Sequence, residues 1–292
     1  MKFGFILPNF GDKIGAPDLV KLSEVCEEEG FESVWATDHI IMPSELREPY
    51  GQVLEPLVTL SFVAAATEKV KLGTSILVLP QRNPILVAKQ AAALDVFSKG
   101  RVIMGFGLGW AEKEFGFLGS DFRRRAGVMR ESINLIRKLW SDAEVNFEGK
   151  YFHVKDAVFL PKPAQLRIPI WVAGNSDAAV RRAISLGDGW HPTGVDVARY
   201  RAGAEMIAKS GKKLTHSIRV TVDVRKKRED SVAPSGERRT YISGGPAEIR
   251  RSIDAYTTAG LEYLCTAVLH PSADEIIGDL RKFSSDVIRS YG

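Results

Sequence analysis

Short apolar runs rich in β-forming residues alternate eight times along this chain with longer segments of helical periodicity. Such alternation is typical of parallel strands, each connected to the next by a helix. The predicted strands cover residues 2–7, 33–37, 70–79, 101–107, 168–173, 189–192, 218–224 and 263–269. The predicted helices cover residues 18–29, 55–68, 85–97, 123–140, 177–186, 198–210, 247–259 and 273–290.

Eight strand–helix units favour a closed (β/α)8 TIM barrel over an open doubly wound sheet, because an open sheet leaves edges and more often has fewer strands. The sixth strand, DGWHPTG, is the weakest of these predictions because it is short and poor in β-branched residues. A chain of 292 residues fits one barrel, and no linker or repeat divides it. We expect a single domain over residues 1–292, with an inserted hairpin at residues 146–157 near the barrel mouth.

The overall composition narrows the function classes. Hydrophobic residues make up 45% of the chain and charged residues 26%, which is the balance of a globular protein. The net charge of +4 is spread over a large surface and does not favour a nucleic-acid partner. The densest basic stretch, RKKRED at 225–230 with ERR at 237–239, is predicted to be a solvated loop; the alternative is a contact for the anionic tail of a ligand.

Neither a membrane nor an export role is predicted. Every apolar run falls short of the roughly 20 residues of a membrane span, and the run in MKFGFILP is too short for a signal sequence. Cys26 and Cys265 lie far apart in the sequence and predict neither a disulfide framework nor a metal clip. We therefore expect a cytoplasmic protein.

Polar residues directly after the strands are candidate site residues, because the carboxyl ends of the strands form the reactive face of such a barrel. Asp38 and His39 follow the second strand in ATDHIIMP. His39 is a candidate general acid or base, and its alternative role is to orient the loop through a hydrogen bond with Asp38. No serine or cysteine is spaced to complete a hydrolase triad, and the other histidines lack metal-binding spacing.

Three alternating glycines lie at the end of the fourth strand and directly after it, in GFGLGWAEKEF: Gly105, Gly107 and Gly109. Missing side chains leave the strand backbone open to the close approach of a flat ring, and the alternative is tight packing within the barrel. The pattern is not a dinucleotide-binding fingerprint, because no glycine stands three residues after Gly109 and no early βαβ unit surrounds it.

Small polar residues stand between the fifth strand and its helix in GNSDAAVRRA. Gly174 permits unusual backbone torsions, and Asn175 and Ser176 suit a helix N-cap. The free N–H groups of the following helix can hold a phosphate, to which Arg181 or Arg182 would add charge. Ordinary helix capping explains the same residues, so the sequence leaves both alternatives open.

Four stretches together carry a resemblance to a known family: QRNPILVAKQAAALDVFSKGRVIMGFGLGWAEKEFGFLG (81–119), WATDH, LGTSILVLP and VAGNSDAAVRRAISLGDGW. They resemble the luciferase-like flavin monooxygenase superfamily, specifically its branch of probable coenzyme F420-dependent oxidoreductases. The three shorter stretches match the family in the order in which they occur along the chain. The resemblance implies a TIM-type barrel that binds F420 or FMN at the strand carboxyl ends. A homodimer is expected on the same basis.

The resemblance also implies roles for individual residues. Gly174, Asn175 and Ser176 match the family's phosphate loop, and His39 would handle a proton at the substrate or the reduced coenzyme. GTSI matches a bulged segment behind the coenzyme ring that contains a non-proline cis peptide, here Ser75–Ile76. The other residues expected beside the ring are Asp38, Thr74, Gly107 and Gly109.

The function that follows from the resemblance is hydride transfer between C5 of F420 and a small organic substrate. F420 is favoured over FMN because its anionic oligoglutamate tail suits a mildly basic surface. The alternatives are an FMN-dependent monooxygenase that uses O2 and a non-catalytic flavin-binding protein. In the family's sugar-phosphate dehydrogenases a glutamate that acts as proton donor aligns with Trp110 of this chain, so the resemblance does not support that reaction. Glu112 or Glu114 would be the substitutes, but acidic residues in a first helical turn are commonly helix-dipole partners.

Overall fold

Eight parallel strands close into a barrel in the computed structural model, which describes residues 1–12, 14–268, 270 and 272–291. Each strand pairs with its sequential neighbour, β8 returns to β1, and β6 pairs with β7 at Gly189 and Thr215. The strands are β1 (Lys2–Ile6), β2 (Ser33–Ala36), β3 (Lys71–Thr74), β4 (Val102–Gly107), β5 (Ile170–Ala173), β6 (Gly189–His191), β7 (Thr215–Asp223) and β8 (Tyr263–Ala267). The predicted TIM barrel is confirmed.

A helix follows each strand and packs on the outside of the barrel. These helices are α1 (Ala16–Glu28), α2 (Pro56–Ala64), α3 (Pro84–Phe97), α4 (Arg125–Ser141), α5 (Asp177–Leu186), α6 (Val197–Lys209), α7 (Pro246–Thr258) and α8 (Ala273–Asp286). Short helical turns at Arg47–Tyr50 and Glu112–Phe117 lie in the loops after β2 and β4. No helix of the described residues is long and apolar enough to cross a membrane.

The third strand differs most from its prediction. The expected continuous strand over residues 70–79 is interrupted after Thr74, and a second short segment, Leu77–Val78, resumes the pairing with β4. β6 is as short as its sequence indicates, whereas β7 begins three residues earlier than predicted, at Thr215. The last residue of the predicted eighth strand, Leu269, lies outside the described residues.

The predicted hairpin at residues 146–157 is present, and it packs against α4 without lining the cavity at the barrel mouth. Strands Val145–Glu148 and His153–Ala157 pair antiparallel. The carboxylate of Glu131, on α4, accepts hydrogen bonds of 2.6–2.9 Å from three backbone N–H groups at the turn. Because the Glu131 carboxylate binds the turn of the hairpin, the hairpin lies along the outer side of α4.

The basic stretch after β7 forms a small hairpin of its own, with strands Ser231–Val232 and Arg238–Arg239. A further strand, Tyr241–Ser243, pairs in parallel with the upper part of β7, beyond the end of β6. We call residues 231–239 the mouth hairpin. Residues 225–230 form a loop, as predicted, whereas residues 238–239 of the predicted loop are a strand of this hairpin.

Large aromatic rings fill the barrel interior below the strand carboxyl ends. The indole rings of Trp35 and Trp171 stack with centroids 4.9 Å apart, and the ring of His191 lies 5.5 Å from that of Trp35. Glycines on neighbouring strands provide the space: a Cβ on Gly73 would lie 2.1 Å from Trp35, and one on Gly189 would lie 2.5 Å from Trp171. This aromatic layer forms the floor on which the cavity above it rests.

Candidate active site

An open cavity of about 480 Å³ lies at the carboxyl ends of the strands. Its walls come from the loops after β2, β3, β4, β5 and β6, from β7, and from the mouth hairpin. Nine of the ten predicted site residues line it: Asp38, His39, Ser75, Ile76, Gly107, Gly109, Gly174, Asn175 and Ser176. The structure therefore brings together residues that are up to 138 positions apart in the sequence (176 − 38 = 138).

His39 forms a buried pair with Glu114, from the short helix after β4. The Nδ1–H of His39 donates to Oε2 of Glu114 at 3.0 Å, and the backbone N–H of Ile40 donates to Oε1 at 2.7 Å. Burial raises the pKa of the Glu114 carboxyl, but the hydrogen bond and charge of His39 and the Ile40 N–H outweigh it, so the pKa lies below its usual value. Glu114 therefore holds a negative charge behind the imidazole.

Two aromatic rings enclose the same histidine. The ring of Tyr50 lies 4.8 Å from that of His39, and the edge of Trp110 lies 5.6 Å away. Because Nδ1 is engaged by Glu114, Nε2 is the ring nitrogen left without a partner among the described residues. A buried carboxylate on one nitrogen and a free second nitrogen make His39 suited to hold or pass a proton at Nε2.

Asp38 does not pair with His39, so that alternative is wrong. Its carboxylate accepts from Nη2 of Arg82 at 2.7 Å and from the backbone N–H of Val78 at 2.9 Å. A second carboxylate, that of Glu55, binds the same guanidinium at 2.9 Å. Asp38 thus fixes the loop after β3 to the end of β2, and its charge is compensated within the protein.

The residues after β3 divide between the cavity and the barrel wall. The Ser75–Ile76 peptide bond is cis, as predicted. The hydroxyl of Ser75 faces His191, with Oγ 2.9 Å from Nε2. Thr74, the tenth predicted site residue, lies behind the wall, because its hydroxyl both donates to and accepts from the Gly105 backbone at 2.8 and 2.9 Å. The Thr74 hydroxyl is therefore engaged within the barrel wall and does not line the cavity, and its contact with a coenzyme stays a prediction.

The alternating glycines of β4 make room for the chain itself, which supports the packing alternative. A Cβ on Gly105 would lie 2.0 Å from the Thr74 carbonyl oxygen, and one on Gly107 would lie 2.3 Å from the Ile76 side chain. Gly109 has a φ of +78° and is packed by Val78 and Phe115. The interrupted third strand occupies the space that the missing side chains leave, and Gly107 and Gly109 still contribute backbone to the cavity wall.

The loop after β5 has the predicted capping role and lines the cavity, and its phosphate-binding role stays a prediction. Ser176 is the N-cap of α5, and its Oγ accepts from the Ala179 N–H at 3.3 Å. Gly174 has a φ of +129°. The side-chain amide of Asn175 donates through Nδ2 to the Thr193 carbonyl oxygen at 3.0 Å and accepts at Oδ1 from the Thr193 N–H at 2.9 Å. The acidic Asp177 binds Arg199 at 2.8 Å, so its charge is compensated. The helix N-terminus is thus a rigid site facing the cavity.

Two arginines add positive charge at this helix N-terminus. Arg182, on α5, and Arg125, on α4, both line the cavity, and neither binds a carboxylate among the described residues. Their Nε atoms are buried without a hydrogen-bond partner. Burial lowers the pKa of Arg182, and the charges of Arg125 and Arg130 lower it further. Unpaired buried donors at a helix N-terminus fit a phosphate group of a flavin-type coenzyme.

Sequence reasoning missed several cavity residues, above all Arg219. In SIRVTVD (217–223) polar and apolar residues alternate, which for a barrel strand indicates that Ser217, Arg219 and Thr221 point inward. This alternation is the sequence signal from which Arg219 could have been predicted as a cavity residue. Arg125 and Tyr50 carried no comparable signal, because they come from loops whose path no local pattern predicts. In the described part of the chain, no group of His, Cys, Asp and Glu side chains is placed to hold a metal ion.

Comparison with known proteins gives one family and a consistent fold. The model of the family described as luciferase-like monooxygenase matches residues 1–262. Among similar sequences is the F420-dependent glucose-6-phosphate dehydrogenase of Kineococcus radiotolerans, which is 28% identical over 90% of this chain and 89% of its own.

Similar solved structures include monooxygenase RslO1 from Streptomyces bottropensis, with a TM-score of 0.83 at 19% identity over 100% of both chains. An F420-dependent secondary alcohol dehydrogenase in complex with an F420–acetone adduct has a TM-score of 0.80 at 21% identity over 98% of both chains. At these identities the solved structures establish the fold alone.

Proposed function

Since this chain belongs to the luciferase-like monooxygenase family, we propose that it is an oxidoreductase that binds coenzyme F420 at the barrel mouth and transfers a hydride between F420 and a small organic substrate. The observation that carries the proposal is the cavity itself. It combines an anion site at the N-terminus of α5 with the buried His39–Glu114 pair. The F420-dependent relative, similar over nearly its whole length, supports the choice of coenzyme.

The residues present fit such a coenzyme, and each has a separate task. The N–H groups of α5, with Arg125 and Arg182, would bind its phosphate, because they offer unpaired donors and positive charge. The backbone at Gly107 and Gly109 would form part of the wall along the ring. When bound, F420 supplies the hydride chemistry at C5 of its ring.

His39 would move the proton that accompanies the hydride. Its Nδ1–H is fixed by Glu114, which selects one orientation of the imidazole and leaves Nε2 toward the open cavity. A buried carboxylate behind a histidine stabilises the imidazolium form that arises when Nε2 takes up a proton. Trp110 and Tyr50 pack against the ring and limit the access of water to it.

Reduced FMN with O2 remains the second candidate, because the family is named for monooxygenases and the anion site would accept the FMN phosphate equally well. Equilibrium titration of the purified protein with F420 and with FMN, followed by ring fluorescence, distinguishes the two. We expect F420 to bind in the micromolar range or tighter and FMN to bind at least tenfold more weakly. Tight binding of FMN without a response to F420 would contradict the proposed coenzyme.

The proposal includes a homodimer in the cytoplasm. Apolar side chains on the outer faces of α2 and α3 support the dimer: Phe62 is 53% exposed, Leu86 57% and Phe97 73%. Leu86 and Phe97 lie eleven residues apart on α3, which places them on one face of the helix. Exposed apolar patches of this kind are typical of association surfaces.

The two cysteines, both buried and free, suit a reducing compartment.

A further inference from the structure

Four arginines face the cavity, and the proposed coenzyme phosphate accounts for only two of them. Arg125 begins α4 and Arg182 lies in the second turn of α5, whereas Arg219 comes from β7 and Arg239 from the mouth hairpin. Neither Arg219 nor Arg239 binds a carboxylate among the described residues. A partly buried guanidinium without an anionic partner is unfavourable, so this second pair requires an explanation.

The acidic residues of the cavity wall do not supply the missing partner. They are Asp38, which Arg82 binds at 2.7 Å, and Glu237, which accepts from the Asn175 amide at 3.0 Å. Neither carboxylate therefore forms an ion pair with Arg219 or Arg239 among the described residues. Burial lowers the pKa of Arg219 to about 10, and the charge of Arg239 opposes its protonation further. An anion placed between the two arginines would remove both costs.

One edge of the Arg219 guanidinium is fixed and the other is free. Nη1 donates to the Ser75 carbonyl oxygen at 2.5 Å, and Nε and Nη2 have no acceptor among the described residues. An arginine held in this way presents two parallel N–H groups, which is the geometry that binds carboxylate and phosphate oxygens in bidentate fashion. The charge also belongs to the same cavity as the proposed reaction site, because Arg219, Ser75 and His39 all line it.

We infer that the substrate carries an anionic group, a carboxylate or a phosphate, which binds the free edge of Arg219 while Arg239 contacts it from the mouth hairpin. This inference rests on the proposed function, because it takes the anion site at α5 to be filled by the coenzyme. An anion anchored at Arg219 would place the uncharged remainder of a small molecule between Ser75 and His39, where the proton is handled.

The test uses protein loaded with F420, so that the anion site at α5 is already occupied. Malonate and inorganic phosphate are titrated at constant ionic strength, with malonamide as the uncharged control, and binding is followed by coenzyme fluorescence and by calorimetry. We expect at least one anion to bind and malonamide not to bind. The anion that binds more tightly identifies the carboxylate or the phosphate as the group that the site accepts.

Variants identify the residues responsible. Arg219→Gln is expected to weaken anion binding at least tenfold, and Arg239→Gln, on the exposed hairpin, about threefold. Arg251→Gln removes one charge from the exposed face of α7 and is expected to change nothing. The affinity for F420 should stay within twofold in all three variants. Circular dichroism confirms folding, and Arg239→Gln keeps the inference testable if Arg219→Gln does not fold.

Several results would overturn the inference. It is wrong if Arg219→Gln and Arg239→Gln bind the anions as wild type does, or if malonamide binds as tightly as malonate. A tenfold loss of F420 affinity in Arg219→Gln would assign this arginine to the coenzyme instead. If neither F420 nor FMN binds to the wild-type protein, the proposed function itself fails, and the inference fails with it.

Discussion

Glu114 connects two loops through a single carboxylate. One oxygen accepts from His39, and the other accepts from the backbone N–H groups of Ile40 and Ile41, so the loop after β2 is held by the short helix after β4. In the sequence Glu114 was only one of two acidic residues in a first helical turn, and a role as helix-dipole partner was the ordinary expectation. Its role depends on the distance to a loop 75 positions away, which no local pattern contains.

Glu114→Ala is expected to lower the free energy of unfolding by about 3 kcal/mol, because it leaves the His39 and Ile40 donors buried without an acceptor. Urea denaturation followed by circular dichroism measures the change. Glu112→Ala, two residues earlier and exposed, is the matched control and should change stability by less than about 0.5 kcal/mol. Equal effects of the two substitutions would contradict the structural role of the His39–Glu114 pair.

Arg181 and Arg182 are adjacent in the sequence, and only the fold separates their roles. Arg182 lines the cavity, whereas Arg181 is exposed on the outer side of α5. Arg182→Gln should raise the dissociation constant for F420 roughly 10- to 100-fold, because it removes charged hydrogen bonds to the phosphate. Arg181→Gln should leave it unchanged. Isothermal titration calorimetry provides the comparison, and a similar loss in both variants would argue for general electrostatic attraction rather than a defined phosphate site.

At the scale of elements, the third strand shows what periodicity alone can and cannot predict. The apolar run over residues 70–79 predicts a strand correctly in type, but the run contains no signal for the interruption between Thr74 and Leu77. The signal is on the neighbouring strand, where Gly105 and Gly107 leave the space that the displaced chain fills. The sequence leaves two alternatives for these glycines, a ring or packing within the barrel, because it does not show which segment of the chain occupies the space.

Gly105→Ala and Gly107→Ala should differ in severity, because the atoms they meet differ in mobility. The new Cβ at residue 105 meets the Thr74 backbone oxygen, which cannot move aside, so we expect a loss of about 3 kcal/mol. At residue 107 it meets the end of the Ile76 side chain, and a loss of about 1 kcal/mol is expected. Ile76→Val should partly rescue Gly107→Ala and leave Gly105→Ala unchanged. Thermal denaturation of the two single glycine variants and of each combined with Ile76→Val tests this. Rescue of Gly105→Ala by Ile76→Val would contradict the assigned contact between residue 105 and the Thr74 carbonyl oxygen.

The position of an inserted element was also beyond sequence reasoning. The hairpin after α4 was predicted from its composition, and its strands form as expected, yet it lies on the outside of α4 because Glu131 binds its turn. The stretch that does reach the cavity is the mouth hairpin, whose many charges indicated a solvated loop. In both cases the sequence indicates a turn, but it does not indicate which part of the protein the hairpin packs against.

At the scale of the whole molecule, the barrel interior depends on a histidine that stays neutral. The Nδ1–H of His191 donates to Ser217 at 2.8 Å, and Nε2 accepts from Ser75 at 2.9 Å. Burial, with a smaller contribution from the nearby Arg219 charge, lowers its pKa to about 3. The chain's fold class was predictable from the order of its elements, but this requirement for a neutral imidazole arises only when eight strands meet around it.

Stability should therefore fall in mildly acidic solution. Between about pH 6.5 and pH 3 the unfolded chain binds a proton at residue 191 that the folded protein excludes, so the free energy of unfolding decreases as the pH falls through this range. The contribution is about 1.4 kcal/mol per pH unit near pH 5. His191→Gln lacks it, so its deficit relative to wild type should shrink between pH 7 and pH 4 in urea denaturation. A deficit that is independent of pH would contradict the neutral state.

The proposed dimer makes a further prediction for the whole molecule. Phe62→Glu introduces a charge into the exposed apolar face of α2 and α3 and should convert the protein to monomers in multi-angle light scattering. Val232→Glu is the control, since Val232 is 72% exposed on the mouth hairpin, away from those helices. A wild-type protein that is monomeric at micromolar concentration would contradict the proposal directly.

The aromatic layer of Trp35 and Trp171 has a kinetic consequence. Because these rings fill the barrel beneath Ser75 and His191, nothing can pass through the centre, and every molecule must arrive and depart by the same doorway beside the mouth hairpin. The coenzyme and the substrate of the proposed reaction would therefore exchange through one shared entrance.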